Sequence, residues 1–543
     1  MTTPAAESKP MRFAAIDIGT NSIRCVVAEV DSDGSYRVLD EERDMTRLGH
    51  DLFQRGRLAA EPMERSYAAL AKMKAIVDGF QVTELRAVAT SAVREAANGR
   101  AFCREVRRRC GLHIEVISPE EEAQLALQSA MQHGDLAGRS VAVVDIGGGS
   151  VEVVLAAGAV VDQMYTLPLG SVRLTEAYGS AERMGRRKWK RLRRAIDRVL
   201  DEHIGEPPFQ PDVMVGSGGT FTNLADMVHA EREGDERNAH GSTLTRTDVV
   251  HLVHRLRGTP LDMRRAVPGL NPLRADIIVA GAAAVARLAR RLGTQQIVVN
   301  PGGLRSGLLL SMIAEHTMPA GADPVRPKDR LESVRAFARK CQSGTRHTEQ
   351  VAGLAAQLFD GLRGPFALPP EGRELLVAAA LLHDVGYLIN HAQHHKHAYH
   401  LIQHAELQGW TGREVELIAN VARYHRKASP KKRHPNFARL ERADRRLVRR
   451  LAAILRLADG LDRTHTQRIS AVGVEVGRGR ARFVLAADTD PQVERWDTER
   501  KAALFAKVFA VTPTLAWTGA RTPTRRPARR RGGARAPLRL AAG

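Results

Sequence analysis

Cysteine, aromatic side chains and long apolar runs are all scarce in this chain. Its 543 residues include 4 cysteines without metal-binding spacing, so we expect a reduced protein rather than a disulfide scaffold. The longest apolar run, Ile277 to Ala286, is shorter than the roughly 20 residues of a membrane-spanning helix. The polar segment Met1 to Pro10 does not fit a signal peptide. These scarcities predict a soluble cytoplasmic protein with no membrane partner.

Acidic residues are outnumbered by basic ones, 61 against 82, which gives a formal charge of +21. The segment Gly519 to Gly543 contains several arginines and no acid, and its low complexity predicts disorder. A protein with this excess of positive charge is suited to bind a polyanion such as nucleic acid, polyphosphate or a multiply phosphorylated nucleotide. Charge kept for solubility explains the balance equally well, so charge alone does not assign a ligand.

The most informative pattern is a phrase that occurs twice, as Asp17-Ile18-Gly19-Thr20-Asn21-Ser22 and as Asp145-Ile146-Gly147-Gly148-Gly149-Ser150. Apolar runs flank each copy, which predicts strand, turn, strand. Turns rich in Gly and Ser expose backbone N–H groups that bind anions. One copy could be an ordinary hairpin. Recurrence in two successive α/β regions, with further Gly loops at Gly216 to Thr220 and Asn300 to Gly303, favours a phosphate site.

Glu122 lies where a helix should bury an apolar residue. Ser118 and Pro119 predict the start of that helix, and Glu120 and Glu121 fit its first turn. Glu122 instead occupies the position that packs inward. We expect partial removal from water to raise its pKa, which suits a general base near neutral pH. A solvated acidic cluster is the alternative interpretation.

These motifs resemble those of the exopolyphosphatase and guanosine pentaphosphate phosphohydrolase family, a branch of the actin and sugar-kinase superfamily. The resemblance rests on both glycine phrases, Ala89 to Arg94, Ile117 to Ala123 and Gly216 to Thr220, and it extends to Leu381 to Gly386 and Val421 to Lys427. It implies an α/β fold with two ribonuclease-H-like domains around a cleft, followed by an all-α HD-like domain. It also implies a homodimer, and it places the family's catalytic glutamate at Glu122.

We predict the following domains: 1–134 and 135–313, both ribonuclease-H-like; 329–468, helical and HD-like; 469–518, a small α/β extension; and 519–543, the Arg-rich tail.

The predicted front site combines three groups of residues. The catalytic group is Glu122, Asp145 and Arg94. The predicted Mg²⁺ ligands are Asp17, Asp145 and Glu152, because Mg²⁺ usually binds a few carboxylates together with substrate oxygens. The groups predicted to bind substrate phosphates are Gly19, Thr20, Asn21, Ser22, Arg94, Gly147, Gly148, Gly149, Ser150, Gly218, Gly219 and Thr220.

The helical region carries the residue order of the HD metal-dependent phosphohydrolases. His347, His383-Asp384 and Asp459 fit that order, and His397 and His425 stand where relatives place ligands of a second ion. Charged groups beside apolar helices are costly unless they are paired or bind metal. A second divalent metal site is one interpretation. The other is a relic of the fold kept for dimerisation or polyanion binding.

The leading functional hypothesis is an exopolyphosphatase that removes terminal phosphates from inorganic polyphosphate with Mg²⁺. The closest alternative is a guanosine pentaphosphate phosphohydrolase, although with 4% aromatic residues the sequence reveals no slot for a guanine. A third hypothesis places catalysis at the HD residues, with the front half as a phosphate sensor. A non-enzymatic polyphosphate-binding module is the fourth.

Overall fold

The computed structural model describes residues 11–31, 35–132, 136, 138–158, 160–179, 183–233, 242–317, 330–390, 393–405 and 407–517. They form two compact units. The first contains the described residues up to 317 together with 388–390, and the second contains the others from 330 onward. The predicted tail at 519–543 and the Pro-rich segment 319–328 lie outside the described residues.

The first sheet has five described strands in the order β3-β2-β1-β4-β5. β1 pairs antiparallel with β2 and parallel with β4, so its carboxyl end meets that of β4 at one edge. The strands are β1 (Met11–Ile18), β2 (Ile23–Val30), β3 (Tyr36–Asp44), β4 (Glu84–Ala89) and β5 (Glu115–Val116). The helices of this part are α1 (Leu52–Arg55), α2 (Ala60–Gly79), α3 (Ser91–Glu95), α4 (Gly99–Cys110) and α5 (Pro119–Gln132).

The second sheet repeats this topology and adds one edge strand, in the order β10-β11-β9-β6-β7-β8 among the described strands. The strands are β6 (Ser140–Ile146), β7 (Val151–Ala157), β8 (Val160–Leu167), β9 (Val213–Ser217), β10 (Thr243–Thr245) and β11 (Gln296–Asn300). The helices are α6 (Ser171–Tyr178), α7 (Arg186–His203), α8 (Gly219–Glu233), α9 (Arg246–Gly258), α10 (Leu261–Arg265), α11 (Ile278–Leu292) and α12 (Gly303–Thr317), with a 3₁₀ turn at Pro272–Arg274.

Both sheets are covered on two faces, which explains their nearly continuous apolar strands. Along β1, Ile16 and Ile18 belong to one buried cluster while Phe13 belongs to another on the opposite face. Leu308 of α12 packs into the cluster that contains Phe13. The helix that follows the second sheet therefore returns to the first sheet and ties the two sheet domains into one unit.

The second unit consists mainly of helices. They are α13 (Arg330–Lys340), α14 (Arg346–Phe366), α15 (Gly372–Leu382), α16 (His394–Gln403), α17 (Gly412–Arg423), α18 (Pro435–Ala438), α19 (Arg442–Gly460), α20 (Gln492–Lys501) and α21 (Ala503–Phe509), with a 3₁₀ turn at Val385–Leu388. A small sheet is formed by β12 (Ile469–Gly477), β13 (Arg480–Ala487) and β14 (Thr512–Trp517).

As predicted, two mixed α/β domains precede a largely helical region. The region 469–518, for which we predict a small α/β extension, contains strands β12 and β13 and helices α20 and α21. In the described part of the chain, none of the helices has the length and apolar character needed to cross a bilayer.

Candidate active site

The two glycine phrases form turns of the same geometry at equivalent places in the two sheets. Gly19 N–H donates to the Ser22 carbonyl at 3.1 Å between β1 and β2. Gly147 N–H donates to the Ser150 carbonyl at 3.1 Å between β6 and β7. The repeat seen in the sequence is therefore a structural repeat, with an aspartate on the strand just before each turn.

The turns come together because two glycines permit close approach. A Cβ atom on Gly148 would lie 2.8 Å from Cβ of Thr20, so a larger residue would push the first two turns apart. Gly218 adopts φ +94°, and a Cβ there would lie 2.5 Å from the Ile146 carbonyl and 2.9 Å from Asp145 Oδ1. The third loop thus closes against the second. Three loops that are far apart in sequence form one wall.

The wall encloses a cavity within the first unit. It is lined by Asp17, Gly19, Thr20, Asn21, Ser22, Arg24, Thr90, Ser91, Glu122, Asp145, Ile146, Gly147, Gly148, Gly149, Ser150, Ser171, Gly218, Gly219, Arg274, Gly303 and Leu304. The structure thus brings together most of the predicted front-site residues. Three of them do not line the cavity: Arg94, Glu152 and Thr220. Thr220 is buried against Gly281 of α11.

Glu122 reaches the cavity from the first turn of α5. The Ser118 hydroxyl accepts from Glu121 N–H at 3.1 Å, which confirms the predicted helix cap. Glu122 is only 6% exposed although it is an acid. Burial raises its pKa well above the ordinary value, the neighbouring Glu152 adds to this, and Arg94 opposes it. The carboxyl group therefore holds a proton more tightly than a surface glutamate does.

Arg94 contacts Glu122 instead of pointing into the cavity. Its Nη1 donates to Glu122 Oε2 at 3.1 Å and to the Ile117 carbonyl at 2.8 Å. The carbonyl belongs to the residue just before the helix cap, so Arg94 ties the glutamate to the start of its own helix. The predicted contact of Arg94 with a substrate phosphate stays a prediction.

Two further carboxylates, of Asp145 and Glu152, act electrostatically on Glu122, and a third, of Asp17, acts on Asp145. Asp145 and Glu152 are directly opposite each other on β6 and β7, and Asp17 is at the equivalent place on β1. Burial, followed by the charge of Asp17, raises the pKa of Asp145 to about 6. Burial also raises the pKa of Glu152 to about 8, against a hydrogen bond from Ser150. Negative charges so close together and away from water call for a cation.

The donor atoms at this place suit Mg²⁺. Glu152 is 1% exposed, and its Oε1 has no hydrogen-bond partner among the described residues. Asp17, Asp145 and Glu152 offer carboxylate oxygens, and the cavity lining contains no histidine or cysteine among its described residues. Oxygen ligands alone are what Mg²⁺ prefers.

Two arginines in the cavity lining were missed in the sequence. Arg24 is opposite Asp17 on β2, at the place that Glu152 holds in the repeat, so strand register could have identified it. Arg274 follows Pro272 in a short turn with no recognisable motif. It is 5% exposed, and its Nε has no partner among the described residues. Burial, together with the charges of Arg43 and Arg24, holds the pKa of Arg274 well below its ordinary value.

Most of the predicted HD residues come together in the second unit, with one difference. His347, His383 and Asp459 form one cluster, and Asp384, His394 and His425 form another. The prediction placed His397 in the cluster with His425. The structure places His394 there, one helical turn before His397 on α16. Both histidines are buried. The sequence offered no sign of which turn of this helix faces Asp384.

The two α/β domains are of the actin and sugar-kinase type, as predicted, and comparison with known families makes the assignment specific. Residues 26–316 match the Ppx/GppA phosphatase family, and residues 330–496 match Ppx/GppA phosphatase, domain III. The chain belongs to the Ppx/GppA phosphatase family, as its sequence motifs predicted. Phosphatases are hydrolases, so membership of this family supports the prediction that the protein is a hydrolase. Its members generally depend on divalent metal ions.

Solved structures of three proteins are similar to part of this chain. An exopolyphosphatase from Cytophaga hutchinsonii is 25% identical, with a TM-score of 0.53, over 56% of this chain and 98% of that chain. An exopolyphosphatase-like protein is 26% identical, with a TM-score of 0.52, over the same shares of 56% and 98%. The Ppx/GppA family member of Aquifex aeolicus is 31% identical over 56% of this chain and 98% of that chain, with a TM-score of 0.49.

Proposed function

We propose that this protein is an exopolyphosphatase that hydrolyses the terminal phosphoanhydride bond of inorganic polyphosphate, with Glu122 as general base. The observation that carries the proposal is the position of Glu122. A buried acid with a raised pKa lines the same cavity as three loops whose N–H groups suit phosphate oxygens. A base at that place is suited to activate water. A binding module would not need it.

The chemistry follows from these positions. Terminal phosphate oxygens accept from the N–H groups of the Gly19 and Gly147 turns, which fixes the phosphorus in front of Glu122. Glu122 takes a proton from a water molecule as the water oxygen bonds to the terminal phosphorus. The bridging P–O bond breaks on the opposite side, and orthophosphate leaves from a chain shortened by one phosphate. Arg94 acts as a positioning residue because it holds the Glu122 carboxylate toward the cavity.

Asp17, Asp145 and Glu152 would hold Mg²⁺ in this scheme. When bound, the ion neutralises charge on the non-bridging oxygens of the substrate. The three carboxylates then lose part of their mutual repulsion, and Asp145 and Glu152 remain ionised at neutral pH despite their raised pKa values.

The cationic side of the cavity supports polyphosphate as the substrate. Arg24 and Arg274 line the cavity, and Arg43 lies within electrostatic reach of both. Guanidinium groups in and beside the cavity can bind successive phosphates of one chain. Among its described lining residues the cavity has Ile146 and Leu304 as its apolar side chains and no aromatic ring, so a stacking surface for guanine is missing there. This favours polyphosphate over guanosine pentaphosphate.

The substrate is tested by measuring kcat/KM for both compounds with Mg²⁺. We expect orthophosphate release from long-chain polyphosphate to exceed release from guanosine pentaphosphate by at least about 10-fold, the ratio that roughly 1.4 kcal/mol of transition-state binding gives. The matched variant is Arg274→Met, which should raise KM for polyphosphate with little change in kcat. A preference for guanosine pentaphosphate would overturn the assignment of substrate while leaving the hydrolytic site in place.

A further inference from the structure

Arg47 joins the two sheet domains beside the cavity, although it does not line the cavity itself. It lies in the loop between β3 and α1 of the first sheet domain. Its Nη1 donates to Asp276 Oδ2 at 2.8 Å, and its Nη2 donates to Asp276 Oδ1 at 3.3 Å and to the Leu273 carbonyl at 2.9 Å. Both acceptors belong to the second sheet domain. One guanidinium group thus makes a directional, charge-assisted contact between the domains.

The acceptors of Arg47 flank Arg274, which lines the cavity. Leu273 directly precedes Arg274 in the 3₁₀ turn, and Asp276 follows it by two residues. Within the second sheet domain, Arg264 Nη1 donates to the Ala275 carbonyl at 2.7 Å. Arg264 therefore supports the shape of this turn from its own domain, whereas Arg47 fixes the position of the turn relative to the other domain.

The segment that carries Arg47 is also bound to the Gly19 turn. The backbone N–H of Arg47 donates to the Asn21 carbonyl at 3.0 Å, and that of Gly49 donates to the Thr20 carbonyl at 2.8 Å. A Cβ atom on Gly49 would lie 2.2 Å from Cγ2 of Thr20, so the segment lies directly against the turn. Thr20 and Asn21 both line the cavity. Arg47 therefore connects two parts of the cavity wall that come from different domains.

The backbone of Arg47 is held in an unfavourable conformation. Its φ of +52° lies in the left-handed region, which residues other than glycine seldom adopt. Such a conformation persists where surrounding contacts compensate its cost. Here the N–H group binds the Gly19 turn and the guanidinium group binds the turn that carries Arg274.

Arg274 needs external support because other positive charges act on it. Its side chain is 5% exposed, and the charges of Arg43 and Arg24 disfavour its charged form, whereas that of Asp276 favours it. Arg24 and Arg43 belong to the first sheet domain. Their repulsion therefore pushes Arg274 away from that domain. The pair of Arg47 with Asp276 opposes this displacement at a distance of two residues.

We propose that Arg47 is a positioning residue for substrate binding, which holds Arg274 at a fixed distance from the Gly19 turn so that both can bind phosphates of one substrate molecule. This inference rests on the proposed function, in which Arg274 binds substrate phosphates. Arg47 itself does not touch the substrate and acts through Arg274.

The test is a double-mutant cycle on the full-length protein with Mg²⁺. Orthophosphate release from long-chain polyphosphate gives kcat and KM for wild type, Arg47→Met, Arg274→Met and the double variant. We expect Arg47→Met to raise KM about 5-fold, the upper range for a partly exposed ion pair, with little change in kcat. In the Arg274→Met background the same substitution should change KM by less than about 2-fold, because the group that Arg47 positions is already lost.

The matched control is Arg109→Met. The Arg109 side chain is 37% exposed, against 38% for Arg47, and its ion pair with Glu64 joins two helices within the first sheet domain. This variant should keep the wild-type KM. Arg47→Lys has a single charged nitrogen for two acceptors and should give an intermediate KM. Circular dichroism establishes that each variant is folded, and Arg47→Lys replaces Arg47→Met in the cycle if the latter does not fold.

Equal KM factors for the Arg47 substitution in both backgrounds would overturn the inference, because Arg47 would then act independently of Arg274. A lower kcat and Tm with unchanged KM would also overturn it and leave Arg47 a structural role. Absence of orthophosphate release from polyphosphate by the wild type would instead overturn the proposed function. The same cycle is then measured with guanosine pentaphosphate, where equal factors would again overturn the role of Arg47.

Discussion

At the scale of single residues, the site depends on the balance between burial and charge at Glu122. Burial raises the pKa of this carboxyl group and Arg94 lowers it. The two effects together decide at which pH the base is free to accept a proton. Arg94 therefore acts on the reaction through Glu122, and its contribution should be visible in the pH dependence of the rate.

Replacing Arg94 by Met should move the acid limb of the pH profile of kcat/KM to higher pH, because the positive charge that lowers the pKa of Glu122 is lost. Arg94→Lys keeps the charge and should leave this limb near its wild-type position. Equal displacement in both variants would mean that Arg94 affects the site by packing and not by charge.

Glu152 offers a second prediction, which concerns stability. Its pKa in the folded protein, about 8, exceeds that of an unfolded glutamate, so the folded state binds more protons between these values. The stability of the metal-free protein should therefore fall as pH rises from about 4.5 to 8. At pH 8, Glu152→Gln should raise Tm by several degrees, since it removes a cost on the order of a few kcal/mol.

Differential scanning calorimetry of the two proteins, with and without Mg²⁺, measures this effect. Mg²⁺ should stabilise the wild type and should stabilise Glu152→Gln much less. A lower Tm for the variant at pH 8 in the absence of metal would contradict the account of Glu152 as an uncompensated buried acid.

At the scale of elements, the cavity depends on turns that approach one another more closely than side chains allow. Gly148→Ala would place a Cβ 2.8 Å from Cβ of Thr20, between the first and second turns. We expect the variant to lose at least about 10-fold in kcat/KM, because displacement of the turns by a fraction of an ångström misplaces the terminal phosphate. Orthophosphate release measures this.

The control for that substitution is Gly79→Ala, at a glycine with no atom within 4 Å of the added Cβ. It should leave both kcat/KM and Tm close to wild type. If the two variants behave alike, close approach of the turns is not what the cavity requires.

The elements also show what the sequence could predict. The strands, the two turns, the α5 cap and Glu122 follow from local patterns of apolar residues, glycines and caps. Arg274 does not, because its 3₁₀ turn has no distinctive pattern and only folding brings it beside Gly219. The sequence likewise does not show that His394 and not His397 lies beside Asp384. Both residues belong to one helix, and only tertiary packing determines which of them faces Asp384. The contact between Arg94 and Glu122 could not be predicted either, because it depends on the distance between α3 and α5 in the folded protein.

At the scale of the whole molecule, the net charge of +21 should govern how polyphosphate binds. Binding of a polyanion releases counterions, so KM for long-chain polyphosphate should rise at least about 10-fold between about 50 mM and 200 mM salt at fixed free Mg²⁺. Tripolyphosphate contacts fewer cationic side chains and should show a weaker dependence. Equal salt dependence for the two substrates would contradict this prediction and would show that long-chain polyphosphate contacts only the catalytic cavity. The predicted homodimer stays a prediction at this scale.

The central claim is that Glu122 is the base of a hydrolytic site for polyphosphate, and one comparison tests it most directly. Orthophosphate release from long-chain polyphosphate with Mg²⁺ should fall by at least about 100-fold in Glu122→Gln, in line with the loss of a general base, while polyphosphate still binds. Glu120→Gln, at an exposed position on the same helix, should keep wild-type activity. Undiminished release by Glu122→Gln would contradict the claim.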